Sequence, residues 1–293
     1  MSKIAYFLII CIVLTGFVCF AESGDVDVKQ ESLEIRTAVN SGEIGLKEGI
    51  KRCRRLIKKH PGNEVCAGAY YDIGSFFEKI GKRYKAVAAY EIIVEDYSKS
   101  EWFSPAVGRL YCIASHLLSL EEKSLFKDSY GEAREIFAKI LEAAPHMENA
   151  GEIRYKIGVC SLKIGAYEEA ASGFREIIED FPEEPWLEKA VYQLGVVFFK
   201  QVLPAQRDQT MTGKGIGQFL HFLKEYPESR FAESAKEKLS VLTGKKAESL
   251  YSICRFYHKR KEGKAVLFYC GELLRCYPDT EWAELARELQ EAW

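Results

Sequence analysis

Small, aromatic and turn-forming residues recur along the chain at fixed distances, with apolar positions between them. In one copy of the phrase, Gly158, Ala170, Phe174 and Pro182 follow one another at intervals of twelve, four and eight positions. A second copy keeps these intervals but ends at Ser98 instead of a proline. The pattern predicts pairs of antiparallel helices, each about a dozen residues long, with an apolar stripe on one face.

The residue types have a physical reason. Two helices approach closely only where side chains are small, so we expect Gly158 and Ala170 at the crossing, and Phe174 filling the gap toward the next copy. Proline cannot continue a helix and pushes the residue before it out of the helical conformation. We therefore predict helix ends at three aromatic-proline pairs: Phe181-Pro182, Tyr226-Pro227 and Tyr277-Pro278.

The phrase resembles the tetratricopeptide repeat. This resemblance implies an all-α fold, a right-handed superhelical solenoid of about six helix pairs in one array, because each pair buries its apolar stripe only against neighbours. Its first copy is partial, with a helix from Leu46 to His60, and its last element is a capping helix from Glu281 to Trp293. Extra residues interrupt two copies, at Glu121 to Asp128 and at Leu203 to Thr210, where the connection is too long for a plain helical hairpin.

The first 21 residues have the layout of a secretory signal, with an apolar run from Ile4 to Phe20. Cleavage after Ala21, retention as a membrane anchor and lipidation at Cys19 all remain open, since the run is nearly long enough to span a bilayer. Residues 22–31 would then form a tether of at most about 35 Å. We expect an exported protein.

Composition and motifs argue against catalysis. The net charge of −2 gives no bulk attraction for nucleic acid. No cysteine or histidine spacing is typical of a zinc site, so we predict no metal, no cofactor and no catalytic residue. Gly213 to Gly217 lacks the strand and the ending of a phosphate-binding loop. Most cysteines are expected as small buried apolar residues, and Cys254 and Cys270 face each other across a hairpin as the one candidate disulfide.

Two surfaces are candidates for binding. Tyrosines stand three residues before the crossing position in four copies, where tetratricopeptide arrays face their concave groove: Tyr71, Tyr155, Tyr192 and Tyr251. They would suit an extended peptide with aromatic residues, or they would only pack neighbouring helices. The basic run from Lys51 to His60 is either a solvated helix face or a docking site for acidic partners or lipid headgroups.

The second half of the chain resembles the BamD family of outer-membrane assembly factors. The resemblance lies in the order of four phrases: Arg207-Asp208-Gln209-Thr210, Tyr226 to Lys236, Leu250 to Arg260, and Tyr277 to Thr280. It divides the chain into generic repeats over 32–185 and family-like repeats with the capping helix over 186–293. Tyr269 departs from the pattern, because the family is expected to place an arginine there.

The resemblance implies a non-enzymatic scaffold at the periplasmic face of the outer membrane. It would dock on the POTRA domains of a BamA-like insertase and bind unfolded β-barrel clients, with membrane association through its N-terminus or its partner. Arg207, Asp208 and Arg255 are the implied docking residues, and the four tyrosines are the candidates for client contact. The alternative is a periplasmic repeat protein that coordinates cell-wall synthesis with envelope constriction.

Overall fold

The computed structural model describes residues 28–120, 128–181 and 185–293, which form thirteen α-helices and no strand. The chain divides into two compact units, one ending at Met147 and one beginning at Glu148, whereas the family resemblance changes at residue 186. The first unit holds α1 (28–40), α2 (Leu46–Lys59), α3 (Cys66–Lys79), α4 (Arg83–Asp96), α5 (Phe103–Ser119) and α6 (Asp128–Ala143). The second holds α7 (Ala150–Ile164), α8 (Tyr167–Asp180), α9 (Leu187–Lys200), α10 (Thr210–Glu225), α11 (Ala232–Lys259), α12 (Gly263–Cys276) and α13 (Glu281–Glu291). Six pairs and a final helix of tetratricopeptide type confirm the predicted fold class.

Helix pairs in the first unit close over a glycine. A Cβ atom on Gly74 would lie 2.5 Å from a ring carbon of Tyr90, so only glycine lets α4 pack this close to α3. Tyr90 is fully buried, and its hydroxyl donates to Oε1 of Glu78 at 2.6 Å. Arg109 of α5 donates from Nε to the same carboxylate oxygen at 3.0 Å. Burial and the neighbouring carboxylate both raise the pKa of the Tyr90 hydroxyl.

The second unit repeats this packing at Gly158. A Cβ atom there would lie 2.7 Å from the ring of Phe174, and one on Gly195 would lie 2.7 Å from the ring of Phe219. Phe174 belongs to the same buried cluster as Ala190 and therefore also reaches the next pair, as predicted. The sequence phrase thus locates three of the crossings, α3 with α4, α7 with α8 and α9 with α10, through the contact between a glycine and the aromatic ring that covers it.

Aromatic residues end four of the helices in one conformation. Tyr226 follows α10 with φ −131° and ψ 60°, and Tyr277 follows α12 with φ −138° and ψ 53°. Phe181 ends α8 in the same way, although Pro182 lies outside the described residues. Tyr97 has φ −127° and ψ 41° after α4, where no proline follows. The predicted helix ends are confirmed, and the geometry of Tyr97 indicates that this turn does not require a following proline.

Helix α11 is one continuous helix of 28 residues, although the repeat phrase accounts only for its second half. Ala235 and Leu242 in its first half pack against Phe219 of α10, and Cys254 in its second half packs against Val266 of α12. Gly244 lies between the two halves, with nothing within 4 Å of a Cβ built there. A single glycine lowers the stability of a helix by only about 1 kcal/mol. The packing of both halves of α11 outweighs this cost, and the helix continues through Gly244.

Several predictions concern residues near the N-terminus. The signal or anchor segment 1–21, including Cys19, lies outside the described residues, as do residues 22–27 and 121–127. Residues 28–31 belong to α1 instead of an extended tether, because Val28 is fully buried there. Within the described ranges, no helix is both long and apolar enough to cross a membrane.

The cysteines of the described residues are free thiols, and five of the seven are buried. The thiols of Cys254 and Cys270 share a hydrogen bond in the core of the last helix pair, without a disulfide. Burial and the carboxylate of Asp72 raise the pKa of the Cys53 thiol to about 12. These buried cysteines are packing residues, as predicted, whereas Cys112 and Cys276 are exposed.

Candidate functional site

Each of the four predicted tyrosines packs against an aromatic residue at the start of the following helix pair or, for Tyr251, of the final helix α13. The ring centroids of Tyr71 and Trp102 are 4.8 Å apart in the first unit. In the second unit the pairs are Tyr155 with Trp186 at 5.2 Å, Tyr192 with Phe231 at 4.7 Å, and Tyr251 with Trp282 at 5.6 Å. The tyrosines therefore join consecutive repeats.

Sequence reasoning missed the second ring of every pair. The signal was present, because Trp102, Trp186 and Trp282 each follow their tyrosine by 31 positions. Phe231 follows its tyrosine by 39 positions, because the longer connection before α10 intervenes. Of the four tyrosines only Tyr192 is buried, with 7% of its surface exposed, and its hydroxyl donates to Oγ of Ser234 at 3.0 Å.

Three of the ring pairs carry a cation on one face. Lys189 Nζ lies 3.7 Å from the ring centroid of Trp186, and the guanidinium carbon of Arg36 lies 4.5 Å from that of Trp102. The guanidinium carbon of Arg230 lies 4.6 Å from the ring centroid of Phe231. A cation over an aromatic face is attracted by the ring quadrupole and keeps hydrogen-bond donors for a further ligand. Such a site suits a peptide that offers both an aromatic side chain and a carboxylate.

A buried carboxylate fixes the cation of the first unit. Arg36 Nε donates to Oδ1 of Asp72 at 2.6 Å, and its Nη2 donates to Oδ2 at 3.1 Å. Asp72 is 2% exposed, and burial raises its pKa although Arg36 and Ser32 act in the opposite direction. The guanidinium and Trp102 line a cleft of about 480 Å³. The ion pair with Asp72 thus holds the Arg36 guanidinium in place beside the Trp102 ring.

The predicted docking residues are all exposed, and local contacts shape their loop. Asp208 accepts hydrogen bonds from the backbone and hydroxyl of Thr210, and these contacts lower its pKa. The side-chain amide of Gln209 donates to the carbonyl oxygens of Pro204 and Arg207. Residues 201–209 therefore form an ordered loop that extends the connection between α9 and α10, which confirms the predicted insertion.

The loop reaches α11 on the side that carries Arg255. Gln206 donates to Oε1 of Glu248 at 3.3 Å. Arg255 lies seven residues after Glu248, close to two helical turns and about 10 Å along the helix, so both side chains occupy one face. The structure thus brings the loop with Arg207 and Asp208 to the face of α11 that carries Arg255. Among the contacts of the described residues, Asp208 and Arg255 form no ion pair.

Two family models match this chain. One, described as an outer membrane lipoprotein family, covers residues 112–292, and a tetratricopeptide repeat model covers residues 69–100. The chain belongs to the outer membrane lipoprotein family. This match includes every helix of the second unit, with the inserted loop and α13.

Similar members of this family include proteins named outer membrane protein assembly factor BamD. The chain is 22% identical to that of Caulobacter vibrioides over 52% of this chain and 50% of the relative, and 26% identical to that of Buchnera aphidicola over 58% and 74%. It is 32% identical to that of Vibrio cholerae over 29% and 35%. The chain therefore spans half the length of the Caulobacter relative. A tetratricopeptide repeat protein from Parabacteroides merdae has 15% identity and a TM-score of 0.39, over 90% of this chain and 98% of that one.

The last helix pair of this outer membrane lipoprotein family member exposes an aromatic cluster. Tyr269, where the resemblance leads us to expect an arginine, stacks on Tyr257 with centroids 5.4 Å apart and planes 6° apart. Phe256 and Phe268 flank this stack and are 53% and 63% exposed. The guanidinium carbon of Arg260 lies 5.3 Å from the Phe256 ring. Large exposed aromatic residues grouped in this way mark interaction surfaces, and sequence reasoning did not single them out.

Proposed function

We propose that this protein is a non-enzymatic scaffold of the outer-membrane β-barrel assembly machinery, held at the periplasmic face of the outer membrane. The observation that carries the proposal is the family match over residues 112–292, which takes in the whole second unit. The curated relatives are named as assembly factors, and we extend that role to this chain. In this role the protein binds and orients other proteins without making or breaking a covalent bond.

The second unit is the proposed docking unit for a POTRA-bearing insertase. Support comes from the exposed Arg207, Asp208 and Arg255 and from the aromatic cluster around Phe256 and Phe268 on the next helix pair. Interface hot spots favour aromatic and arginine side chains that lose solvent on binding. The stack of Tyr257 on Tyr269 would supply rigid apolar area where we expected an arginine, so this contact would depend less on salt.

The ring pairs with cations are the proposed client sites. The strands of a membrane barrel alternate apolar and polar residues and carry aromatic residues at the membrane interfaces, and the last strand of an unfolded barrel protein ends in a free carboxylate. The ring of Trp186 would stack against an aromatic side chain, and Lys189 would pair with the carboxylate. Tyr155 would hold Trp186 in place. This is a more limited role than the direct contact with the client that the sequence suggested for Tyr155.

Capture of partners from the envelope tests the docking proposal. We expect full-length tagged protein, taken from gently solubilised envelopes, to recover a POTRA-bearing barrel protein identified by mass spectrometry. The double variant Phe256→Ala/Phe268→Ala should recover at least tenfold less, because it removes two exposed rings without disturbing the buried core. Tyr84→Ala is the matched control, since Tyr84 is 65% exposed in the first unit. Recovery of cell-wall enzymes without a barrel protein would favour the role in coordinating wall synthesis with constriction.

A peptide titration tests the client site. We expect Lys189→Gln to weaken binding of a synthetic peptide with a C-terminal phenylalanine about fivefold to tenfold at low salt, measured by fluorescence anisotropy, because one charge-assisted contact is lost. The variant keeps the rings of Tyr155 and Trp186 in contact. Lys236→Gln, an exposed cation of the same unit, is the control. The same peptide with an amidated C-terminus should bind the wild type and Lys189→Gln equally, and a difference there would contradict the assigned role of Lys189.

A further inference from the structure

Helix α2 concentrates positive charge in a chain whose net charge is negative. It carries seven basic residues and one acidic residue within fourteen positions, whereas the whole chain has a net charge of −2. All seven basic residues of α2 are exposed: Lys47, Lys51, Arg52, Arg54, Arg55, Lys58 and Lys59. The proposed assembly role uses none of them.

The fold turns these cations outward. Ile50, Cys53 and Leu56 form the buried stripe of α2, at most 6% exposed. A Cβ atom on Gly49 would lie 2.5 Å from Val39 and 3.0 Å from Phe76, so α2 packs tightly on α1 and α3. Because α2 packs closely on one side, its opposite face carries the seven basic residues and Glu48.

Only part of this charge is neutralised nearby. Glu48 lies 3.7 Å from Lys51 and 3.6 Å from Arg52, and Glu31 of α1 lies 3.6 Å from Lys59. Glu34 and Glu43 also line the cleft beside Arg52 and Arg55. Exposed ion pairs contribute little stability, and the seven cations of α2 still outnumber these four carboxylates, so the local field stays positive. Arg54, Arg55 and Lys58 form the central part of the face, spread over about one turn of helix.

The position of α2 relative to the N-terminus favours a membrane surface as its partner. The ion pair between Lys59 and Glu31 joins the end of α2 to the first turn of α1. In the sequence, only residues 21–27 separate that helix from the apolar run of Ile4 to Phe20. Seven residues reach at most about 25 Å, so a run held in a bilayer keeps α2 next to the headgroups.

The chemistry of the face also favours lipid over protein. Protein interfaces have an apolar core, and none of the large apolar side chains exposed in the described ranges belongs to α2. Lysine and arginine close to an anionic bilayer are attracted by its surface potential without needing shape complementarity. We infer that the outer face of α2 docks on the surface of a bilayer that contains anionic phospholipid.

Vesicle co-sedimentation of the full-length protein tests this inference. The wild type should bind phosphatidylcholine vesicles with 30% phosphatidylglycerol more tightly than pure phosphatidylcholine vesicles, with the difference declining as salt rises. Arg54→Gln/Arg55→Gln/Lys58→Gln should weaken the phosphatidylglycerol-dependent binding about 100-fold, at roughly fivefold for each charge. Binding to pure phosphatidylcholine measures the contribution of the apolar N-terminal run and should not change.

The matched control removes three exposed cations from the second unit, as Lys224→Gln/Lys236→Gln/Arg275→Gln. Its binding should stay within about twofold of the wild type, and circular dichroism should show equal helix content in all three proteins. Equal losses in both triple variants, or undiminished lipid dependence in the α2 variant, would overturn the inference. Tighter binding of poly-L-glutamate than of vesicles at equal charge would assign the face to acidic proteins. The inference does not rest on the insertase role, which the envelope capture tests separately.

Discussion

Arg36→Ala is expected to lower the free energy of unfolding by about 3 to 5 kcal/mol at pH 7, measured by urea denaturation. The reason is the carboxylate that it leaves behind. Asp72 is 2% exposed and accepts both hydrogen bonds from Arg36, so the variant keeps a buried charge without its counter-ion. A change of this size is a large fraction of the stability of a small folded unit.

The loss of unfolding free energy in Arg36→Ala should depend on pH, and the environment of Asp72 gives the direction. Burial raises the pKa of Asp72 above its ordinary value of 3.8, and Arg36 and Ser32 only partly offset this. The folded carboxyl therefore holds its proton to a higher pH than the unfolded one, and its contribution to stability is lost as pH rises through the folded pKa. Without Arg36 that pKa moves higher, so the defect of Arg36→Ala should shrink as pH falls from 7 toward 4.5.

A second variant separates the buried charge from lost packing. Arg36→Ala/Asp72→Asn has no charge to bury and should recover most of the stability at pH 7, and its remaining defect should vary less with pH than the defect of Arg36→Ala. A double variant as unstable as Arg36→Ala would mean that the contact of Arg36 with the Trp102 ring carries the effect instead.

Phe174→Ala is expected to cost about 3 to 5 kcal/mol, the range of large-to-small changes in a packed core. Phe174 is fully buried, and its ring lies on Gly158, so deleting the ring opens a cavity between α7 and α8 that the rigid helix pair cannot close. Thermal and urea unfolding of the full-length protein would measure the change.

Phe268→Ala is the matched control, because the same atoms are removed from a side chain that is 63% exposed. Its effect should stay within about 0.5 kcal/mol, as for surface substitutions in general. Similar losses in the two variants would contradict the role assigned to the contact between Gly158 and Phe174.

The positions of the helices could be predicted because their signals are local. Ala170 and Phe174 are one helical turn apart, Gly158 lies on the preceding helix of the pair, and a proline restricts the backbone of the residue directly before it. The length of α11 could not be predicted from the repeat pattern. A lone glycine such as Gly244 is compatible with a helix end, and only the packing of both halves of α11 shows that the helix continues through it.

The candidate site was predicted only in part. Sequence spacing identified the tyrosines, yet their ring partners lie 31 or 39 positions further along the chain, and the ring pairs became visible only in the fold. Two of the cations are close in sequence to the ring they cover, whereas Arg36 is far from its ring. Lys189, for example, lies over Trp186, whereas Arg36 reaches Trp102 from α1. The predicted docking residues are exposed, and their role in docking stays a prediction.

By itself the sequence determined the all-α repeat fold, the sites of helix crossing, the inserted loop before α10 and membership of the outer membrane lipoprotein family, because each depends on residue type at fixed local spacing. Tertiary structure alone decided which tyrosines are buried, which ring each tyrosine meets, that Arg36 reaches Trp102, and that Phe256 and Phe268 belong to one exposed cluster. Those outcomes depend on which helices become neighbours, and a contact between residues far apart in the chain follows from packing geometry and leaves no periodic mark in the sequence.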